Sequence, residues 1–279
     1  MVDGKSAVTA RLDSEQVRVL DEIAMVGNRG RAEVIRDLVD RYAAALKIED
    51  VKELPLDGQH YAVVSPTFHG KTSLARHYLI PKLSGKYRVL VIDPHFEYTE
   101  GYEVIPVDYD KAIPPSDNQL FQLFALQSTW ADVDRIATQT LEAVRKSKAR
   151  RIAMQLNIVD PEADKMFVGM LLKRMTQLRW DRILVVVEEA NKYDCLSVVA
   201  RGRHAGIKAI LISQYPLSEE TMSNVNVILG PINPKLAETI DPSVTFALLE
   251  LKQGEFIFEV RKGRWARFRH VLKKTGGGN

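Results

Sequence analysis

The sequence predicts an α/β protein whose main part is a doubly wound, mostly parallel sheet, preceded by a small N-terminal unit. From about residue 60 onward, short β-branched apolar runs alternate with helical patterns. Parallel strands buried on both faces appear as continuous apolar runs, and their alternation with helices is typical of this fold class. The first 46 residues differ, because one short alternating strand is followed there by two amphipathic helices.

The composition narrows the class of protein without naming a function. Of the 279 residues 46% are hydrophobic, which permits a sizeable buried core. A formal net charge of +3 is too small to indicate a nucleic-acid partner by itself. The single cysteine, Cys195, excludes an intrachain disulfide and fits a reducing compartment. Residues 1–5 lead into no apolar core, and no apolar run approaches the roughly 20 residues that span a bilayer. We therefore expect a cytoplasmic protein without a signal peptide.

The chain divides into four parts. Residues 1–46 form the N-terminal unit, and the polar residues 47–59 form a linker. Residues 60–272 form the sheet domain, and the glycine-rich residues 273–279 form a flexible tail. Strands are predicted at 60–64, 88–92, 152–158, 183–187, 207–212 and 225–229. Helices are predicted at 71–83, 131–147, 162–179 and 195–205.

The N-terminal unit is predicted to be one strand and two helices. Residues 7–12 alternate in polarity, and Asp13 with Ser14 supplies an N-cap for the first helix. Residues 27–30 interrupt that helix, and a second begins at about Arg31. So small a unit buries little surface alone. We therefore expect its strand to pair with the strand of a second chain.

This pattern, across residues 6–46, resembles the ribbon-helix-helix family, whose paired strands lie in the DNA major groove. The resemblance implies a DNA-contacting set formed by Ala7, Thr9, Arg11, Gly30 and Arg31. The strand residues of this set would read base edges, and the two residues at the start of the second helix would contact a phosphate. Residues 1–50 hold eight Lys or Arg and ten Asp or Glu, so they form no basic patch. A dimerisation module that binds no DNA is therefore the alternative.

A phosphate-binding loop is predicted where the strand Tyr61–Val64 leads into a helix. Such a loop needs backbone N–H groups around the anion, a lysine for the β and γ phosphates and a hydroxyl for Mg²⁺. Gly70-Lys71-Thr72 supplies the second half of that pattern, while Ser65 replaces its first glycine. An ordinary strand-to-helix turn is the alternative. The predicted nucleotide contacts are Ser65, Thr67, Phe68, His69, Gly70, Lys71, Thr72 and Ser73.

Two adjacent carboxylates, Glu188 and Glu189, end the apolar strand Ile183–Val187. Charge at the end of a buried strand is costly unless it has a partner, and Mg²⁺ with a polarised water would be that partner. We assign Glu188, together with Thr72, to the metal and Glu189 to the attacking water. The alternative is two solvated glutamates that open a helix.

Two further segments complete a recognisable set: Asp93 to Tyr98, and Gly202 to Gly206 followed by Ser213-Gln214. In this order and at predicted strand ends, the motifs of residues 60–272 resemble the HerA branch of the HerA–FtsK superfamily of DNA-pumping ATPases. Phe96 stands where that branch has glycine. The resemblance implies a RecA-like P-loop NTPase fold, with ATP and Mg²⁺ as cofactors.

The resemblance also implies roles for single residues. Lys71 would hold phosphate, and Gln214 would act as the polar sensor of the γ-phosphate. Asp93 and Glu97 would lie near the nucleotide or the subunit boundary. Such ATPases work as rings of six, in which an arginine of one subunit completes the neighbour's site. Arg201 and Arg203 match that position, and Arg145, Arg150 and Arg151 form a second basic cluster.

The C-terminal segment is predicted to be a hairpin of residues 255–261 and 264–271. Its second strand alternates the basic residues Arg264, Arg267 and Arg269 with Trp265 and Phe268. Such a strand either faces DNA or is a sheet edge protected by charge.

Together these features predict an ATP-hydrolysing motor that moves double-stranded DNA in packaging, conjugal transfer, segregation or repair. Its expected partners are duplex DNA, further copies of itself as a dimer and a ring, and a nuclease or other accessory protein. An ATP-switched DNA-binding regulator or partition protein is the main alternative. A nucleotide-binding protein that handles no DNA is the third.

Overall fold

The computed structural model describes residues 12–45, 48–56, 58–109, 119–232, 244–261 and 264–270. Its helices are α1 (Ser14–Val26), α2 (Arg31–Ala45), α3 (Lys71–Leu74), α4 (Ile80–Leu83), α5 (Gln119–Lys146), α6 (Pro161–Gln177), α7 (Leu196–Arg201), α8 (Glu219–Met222) and α9 (Thr245–Leu249). Its strands are β1 (Glu49–Val51), β2 (Tyr61–Val64), β3 (Arg88–Asp93), β4 (Glu103–Tyr109), β5 (Arg151–Ile158), β6 (Ile183–Val187), β7 (Ile207–Ser213), β8 (Asn226–Leu229), β9 (Glu255–Arg261) and β10 (Arg264–Arg269).

These ten strands form one sheet in the order β1-β10-β9-β8-β2-β7-β6-β3-β5-β4. Neighbouring strands are parallel except at β9, which runs antiparallel to both β8 and β10. The predicted mostly parallel α/β fold is therefore confirmed. Since the carboxyl ends of β2, β3, β6 and β7 meet at one edge, the loops after them share a single crevice.

Both faces of the sheet are buried, as the continuous apolar runs predict. Along β3, Leu90 and Ile92 pack into the larger core beneath α5, α6 and α7. Val89 and Val91 point to the opposite face, where they pack with residues of α3, α4 and the C-terminal hairpin. This alternation follows from the two-residue period of a strand. None of the described helices has the combination of length and apolar character that crossing a membrane requires.

Two strands are absent from the sequence prediction. β4 is an outer strand, mostly exposed, and Pro106 and Asp108 interrupt its apolar pattern. β1 lies inside the predicted linker 47–59 and pairs in parallel with β10. Its residues Glu49 and Asp50 are charged, so no apolar pattern indicated a strand.

The predicted helix at 71–83 is present but is not α-helical throughout. Between α3 and α4, residues Ala75–Leu79 form a π-helical turn. Pro81, in the first turn of α4, has no N–H to donate to a carbonyl one turn earlier. The π-helical turn joins α3 to α4 without a break in the helical segment.

The two N-terminal helices follow the prediction closely. Asp13 caps α1, and its side chain and that of Gln16 each accept from the other's backbone N–H. Asn28, at φ 48°, turns the chain between the helices. Tyr42 of α2 packs edge-on against Phe246 of α9, with ring centroids 5.9 Å apart. Residues 7–11 of the predicted strand, and with them Ala7, Thr9 and Arg11, lie outside the described residues, as does the tail 273–279.

Candidate active site

An open cleft of about 860 Å³ lies at the carboxyl edge of the parallel strands. It is lined by Thr67, Phe68, Gly70, Lys71, Thr72, Ser73, Arg76, His77, His95, Glu97, Glu188, Glu189, Lys192, Gln214 and Gln253. Six of the eight predicted nucleotide contacts are in this set, and the two that are not are Ser65 and His69. The cleft is therefore the meeting point of the motifs after β2, β3, β6 and β7.

The loop between β2 and α3 curls around the amine of Lys71. Phe68 (φ 66°) and Gly70 (φ 92°) adopt left-handed backbone conformations that bend the chain. The Lys71 Nζ donates to the carbonyl oxygen of Pro66 at 2.9 Å. Burial lowers the pKa of Lys71, while the nearby carboxylates, led by Glu189, act in the opposite direction. The resulting desolvated cation at a helix start is suited to hold a phosphate.

Ser65 lies beneath the loop rather than in the cleft. It is fully buried, and its Oγ lies 3.4 Å from the carbonyl oxygen of Pro231. A Cβ added to Gly230 would approach that Oγ to 2.5 Å, so the hydroxyl occupies space that this glycine leaves. The replacement of glycine by serine at position 65 is thus accommodated by the neighbouring strand end.

Glu188 is almost entirely buried, with 4% of its surface exposed. The hydroxyl of Tyr98 donates to its Oε1 at 2.7 Å, and its Oε2 lies 3.5 Å from the Thr72 Oγ1. Burial raises the pKa of Glu188 to about 7, although the Tyr98 hydrogen bond acts against this shift. The alternative of two solvated glutamates is therefore wrong for Glu188.

Glu189 has a left-handed backbone (φ 53°, ψ 37°) that turns its side chain into the cleft. The Gln214 Nε2 donates to Glu189 Oε1 at 2.9 Å, and the His95 Nε2 lies 3.4 Å from the same oxygen. Burial alone would raise the pKa of Glu189, but the bond from Gln214 and the charge of Lys192 outweigh it and lower the pKa. Glu189 is thus an ionised, oriented carboxylate at neutral pH.

The loop after β3 is organised by Asp93, which is completely buried. Its carboxylate accepts from the backbone N–H of His95 at 3.2 Å and of Tyr98 at 2.8 Å. Asp93 therefore shapes this loop and does not line the cleft, whereas Glu97 does. Phe96 adopts φ 57°, a conformation that favours glycine, and about half of its surface (47%) is exposed.

The C-terminal hairpin also contacts the phosphate loop, which the sequence did not predict. The Gln253 Nε2 donates to the carbonyl oxygen of Phe68 at 2.6 Å. The His270 Nε2 lies 3.2 Å from the Ser73 Oγ. These partners are separated by nearly 200 residues, so no local pattern could reveal the contacts.

Arg201 and Arg203 lie outside the cleft of their own chain. Both are exposed and precede β7, while Gln214 follows its carboxyl end. A strand of seven residues spans roughly 20 Å, so these arginines lie at the opposite edge of the sheet. Within one chain the site therefore lacks them.

The N-terminal helices present an apolar groove of about 610 Å³ that is open among the described residues. Its apolar lining residues are Leu12, Val19, Leu20, Ile23, Ile35, Leu38 and Val39. Beside it, the Arg31 Nη2 binds the Asp21 Oδ2 at 2.6 Å, so this guanidinium is already neutralised. A phosphate contact at Gly30 and Arg31 therefore depends on backbone N–H groups.

The arginines of β10 are all paired with carboxylates. Arg264 lies 3.5 Å from Glu49, and Arg267 lies 3.6 Å from Glu250. Arg269 donates to Glu255. Because β1 covers the strand as well, β10 is neither a free DNA-facing strand nor the sheet edge.

The residues at the cleft fit a magnesium ion. A hydroxyl and a carboxylate, from Thr72 and Glu188, meet at 3.5 Å beside Lys71. Within the described ranges no group of three or more His, Cys, Asp or Glu is arranged to hold a metal by itself. Such sparse protein ligation suits Mg²⁺ at a nucleotide, since that ion keeps several waters and binds substrate phosphates.

Comparisons with known proteins agree with both parts of the chain. Residues 6–46 match the family model of the ribbon-helix-helix protein, copG family. No curated protein sequence matches the chain. The genome packaging NTPase B204 from Sulfolobus turreted icosahedral virus 2, in complex with AMPPCP, has 14% identity and a TM-score of 0.51 over 77% of this chain and 99% of that chain. VirB4 of Thermoanaerobacter pseudethanolicus has 13% identity and a TM-score of 0.52, and the match covers 80% of this chain and 92% of that chain. At such identities the similarity is one of fold.

Proposed function

We propose that this chain, which joins a ribbon-helix-helix segment to the fold of HerA–FtsK P-loop ATPases, is an ATP-hydrolysing motor that moves double-stranded DNA. The observation that carries the proposal is the convergence of Lys71, Thr72, Glu188, Glu189 and Gln214 on one cleft. A resemblance between short motifs does not require them to meet in space. Their meeting at a strand-to-helix loop is what nucleotide hydrolysis needs.

The cleft residues divide into binding and hydrolytic groups. The loop 67–73 and the Lys71 amine hold the phosphates, with N–H groups at the start of α3 directed at the anion. Thr72 and Glu188 would hold Mg²⁺, which supplies charge neutralisation at the phosphates when bound. Burial of Glu188 favours this assignment, because a divalent cation is the partner that stabilises a buried carboxylate.

Glu189 is suited to accept the proton of the attacking water. It is ionised, and Gln214 fixes one of its oxygens at 2.9 Å. His95, 3.4 Å from the same oxygen, steadies it from the β3 loop. The Gln214 amide, bonded to the proton acceptor, would also respond to a terminal phosphate in the cleft, which is the sensor role.

Assembly completes the proposed site. Since Arg201 and Arg203 lie at the opposite sheet edge, one of them would serve the cleft of a neighbouring chain, as an arginine finger does in a ring. The apolar groove between α1 and α2 would be covered by a second N-terminal unit, giving dimers. Three such dimers make a ring of six, which would surround or track duplex DNA. The described residues offer no support for a nuclease partner.

The test is the ATPase rate of the full-length protein with duplexes of increasing length. A motor is expected to be stimulated several-fold, and more by long duplex than by short duplex. The Lys71→Ala variant, which removes the phosphate-binding amine, is the control for contaminating hydrolysis. A hydrolysis rate that does not depend on DNA length would contradict the proposed motor function and favour an ATP-switched DNA-binding regulator.

A further inference from the structure

A second concentration of charge lies at the amino edge of the sheet, opposite the cleft. The strands β3, β5 and β6 are parallel neighbours, so the loops that lead into them lie side by side. These loops bring together five cations, which we call the amino-edge basic surface: Lys86, Arg88, Lys148, Arg150 and Arg182. The nucleotide chemistry proposed above uses none of them.

Hydrogen bonds hold these loops in fixed positions. The Arg88 Nη2 donates to the carbonyl oxygen of Ser147 at 2.7 Å, and the Arg150 Nη2 donates to that of Gly85 at 2.8 Å. The two loops thus bind each other reciprocally. The backbone N–H of Arg88 also donates to the carbonyl oxygen of Arg182 at 2.9 Å, which ties in the third loop. The surface is therefore preorganised.

Among the described residues, the positive charge of this surface exceeds the negative charge near it. Arg88 and Arg150 donate to neutral carbonyl oxygens, and within the described ranges none of the five cations forms an ion pair with a carboxylate. Four of them line an open cavity of about 430 Å³ between the loops. Two carboxylates are near these cations: Glu103, whose Oε2 accepts from Ser147 Oγ at 2.9 Å, and Asp181, which precedes Arg182 in the sequence. Five cations against two carboxylates leave a strong local excess.

We propose that the amino-edge basic surface binds the phosphate backbone of duplex DNA. The inference rests on the proposed function, which supplies DNA as the partner. Lys86 and Lys148 are exposed and carry mobile ammonium groups, which neutralise phosphates without reading bases. Because the surface lies on the sheet edge opposite the cleft of its own chain, DNA bound there does not block that cleft.

The test compares two full-length variants of equal charge, each also carrying Arg11→Ala to weaken the N-terminal DNA contact. The first is Lys86→Ala with Lys148→Ala, which leaves the loop-fixing arginines in place. The control is Lys52→Ala with Lys165→Ala, two exposed lysines away from this surface. Duplex binding is titrated over a range of salt concentrations on two unrelated sequences.

The first variant is expected to lose about one unit of salt-dependence slope per lysine, equally on both sequences. Its DNA-stimulated ATPase should fall while hydrolysis without DNA stays unchanged. Suppose that the parent protein binds DNA and that both variants keep the parent's salt-dependence slope. The inference is then overturned while the proposed function survives. An acidic protein would in that case be the better partner for these lysines. An equal loss in the control pair also overturns it, because net charge alone would explain the effect. A parent protein that neither binds DNA nor hydrolyses ATP overturns both.

Discussion

The Tyr98 hydroxyl donates to Glu188 at 2.7 Å, and the tyrosine is completely buried. This bond ties the loop after β3 to the carboxylate after β6, two segments 90 residues apart in sequence. It occupies Oε1 and leaves Oε2 directed toward Thr72. The orientation of the proposed magnesium ligand is therefore set by a residue that does not line the cleft.

Tyr98→Phe should raise the Mg²⁺ concentration that half-maximal hydrolysis requires, by about tenfold or more. A hydrogen bond to a charged group contributes roughly 1.5 to 3 kcal/mol, and without it Glu188 is free to rotate. Nucleotide affinity without Mg²⁺ should not change. Tyr102→Phe is the matched control, since that ring packs 5.6 Å from Tyr98. Equal Mg²⁺ requirements in the two variants would remove Tyr98 from this role.

Glu189→Gln should bind ATP normally and hydrolyse it about 10²- to 10⁴-fold more slowly, because the amide keeps the shape but cannot accept the proton. Single-turnover assays with labelled ATP separate the two steps. Glu188→Gln should instead weaken the Mg²⁺ dependence of nucleotide binding. Normal turnover by Glu189→Gln would show that the two roles are assigned to the wrong residues.

Inactive subunits should complement one another. Lys71→Ala subunits lack a working phosphate loop but keep Arg203. Arg203→Ala subunits lack that arginine but keep a working phosphate loop. If the arginine acts across an interface, mixing them creates some complete sites and restores part of the activity. An Arg201→Ala partner tests the second candidate in the same way. Mixtures that stay as inactive as either parent, although light scattering shows mixed assemblies, would exclude both arginines as fingers.

Val39→Lys should dissociate the N-terminal dimer. Val39 is 60% exposed in the apolar groove, and burying it against a second unit is worth on the order of 1.5 kcal/mol or more. Sedimentation of the full-length protein should show dimer affinity lowered by at least about tenfold. Met25→Lys, at an exposed apolar site outside the groove, should have little effect. An undisturbed dimer in the Val39 variant would place the interface elsewhere.

Acid should destabilise the fold through His60. Its Nδ1 accepts from the backbone N–H of Ala209 at 3.1 Å, and burial, aided by the charge of Lys208, lowers the pKa of His60 from 6.5 to about 4. The folded state prefers the neutral ring. The free energy of unfolding is therefore unaffected by this group above about pH 6.5 and decreases as pH falls toward 4, because the unfolded chain binds the proton first. Glu188, whose pKa is raised, acts in the opposite direction over this range, so the His60 contribution is read from the difference between the protein and a His60 variant. In thermal unfolding that difference should be about 1 to 2 kcal/mol at pH 5 relative to pH 7.5. His60→Gln should therefore lose less stability, or gain more, than the parent protein as pH falls from 7.5 to 5; an identical pH profile would refute the assignment.

Motifs formed by consecutive residues could be predicted from the sequence. The apolar run at β6 predicted a buried strand, and the carboxylates after it predicted the edge at which the site lies. Gly70, Lys71 and Thr72 likewise identified the loop, because a phosphate site at a helix start needs residues that are adjacent in the chain.

Contacts between residues that are distant in the sequence could not be predicted from it. Tyr98 ends the motif that begins at Asp93, but its bond to Glu188 depends on β3 and β6 being neighbours in the sheet. The Gln253 contact with Phe68 depends on the return of the C-terminal hairpin. β1 was missed because its pairing is supported by ion pairs such as that between Glu49 and Arg264, and charged residues in a short segment resemble a linker.

The seating of β1 on β10 has a mechanical consequence. Tension carried along the chain from the N-terminal unit reaches the sheet at Glu49–Val51 and passes through the ladder to β10. His270, directly after β10, contacts Ser73 at the start of the helix that follows the phosphate loop. Leu54, just beyond β1, donates its backbone N–H to the hydroxyl of Tyr78 on the same helical segment. A pull on DNA held by the first 46 residues would thus be transmitted to the same few strands that support the nucleotide cleft, so that force on the DNA and the geometry of the site would be mechanically coupled.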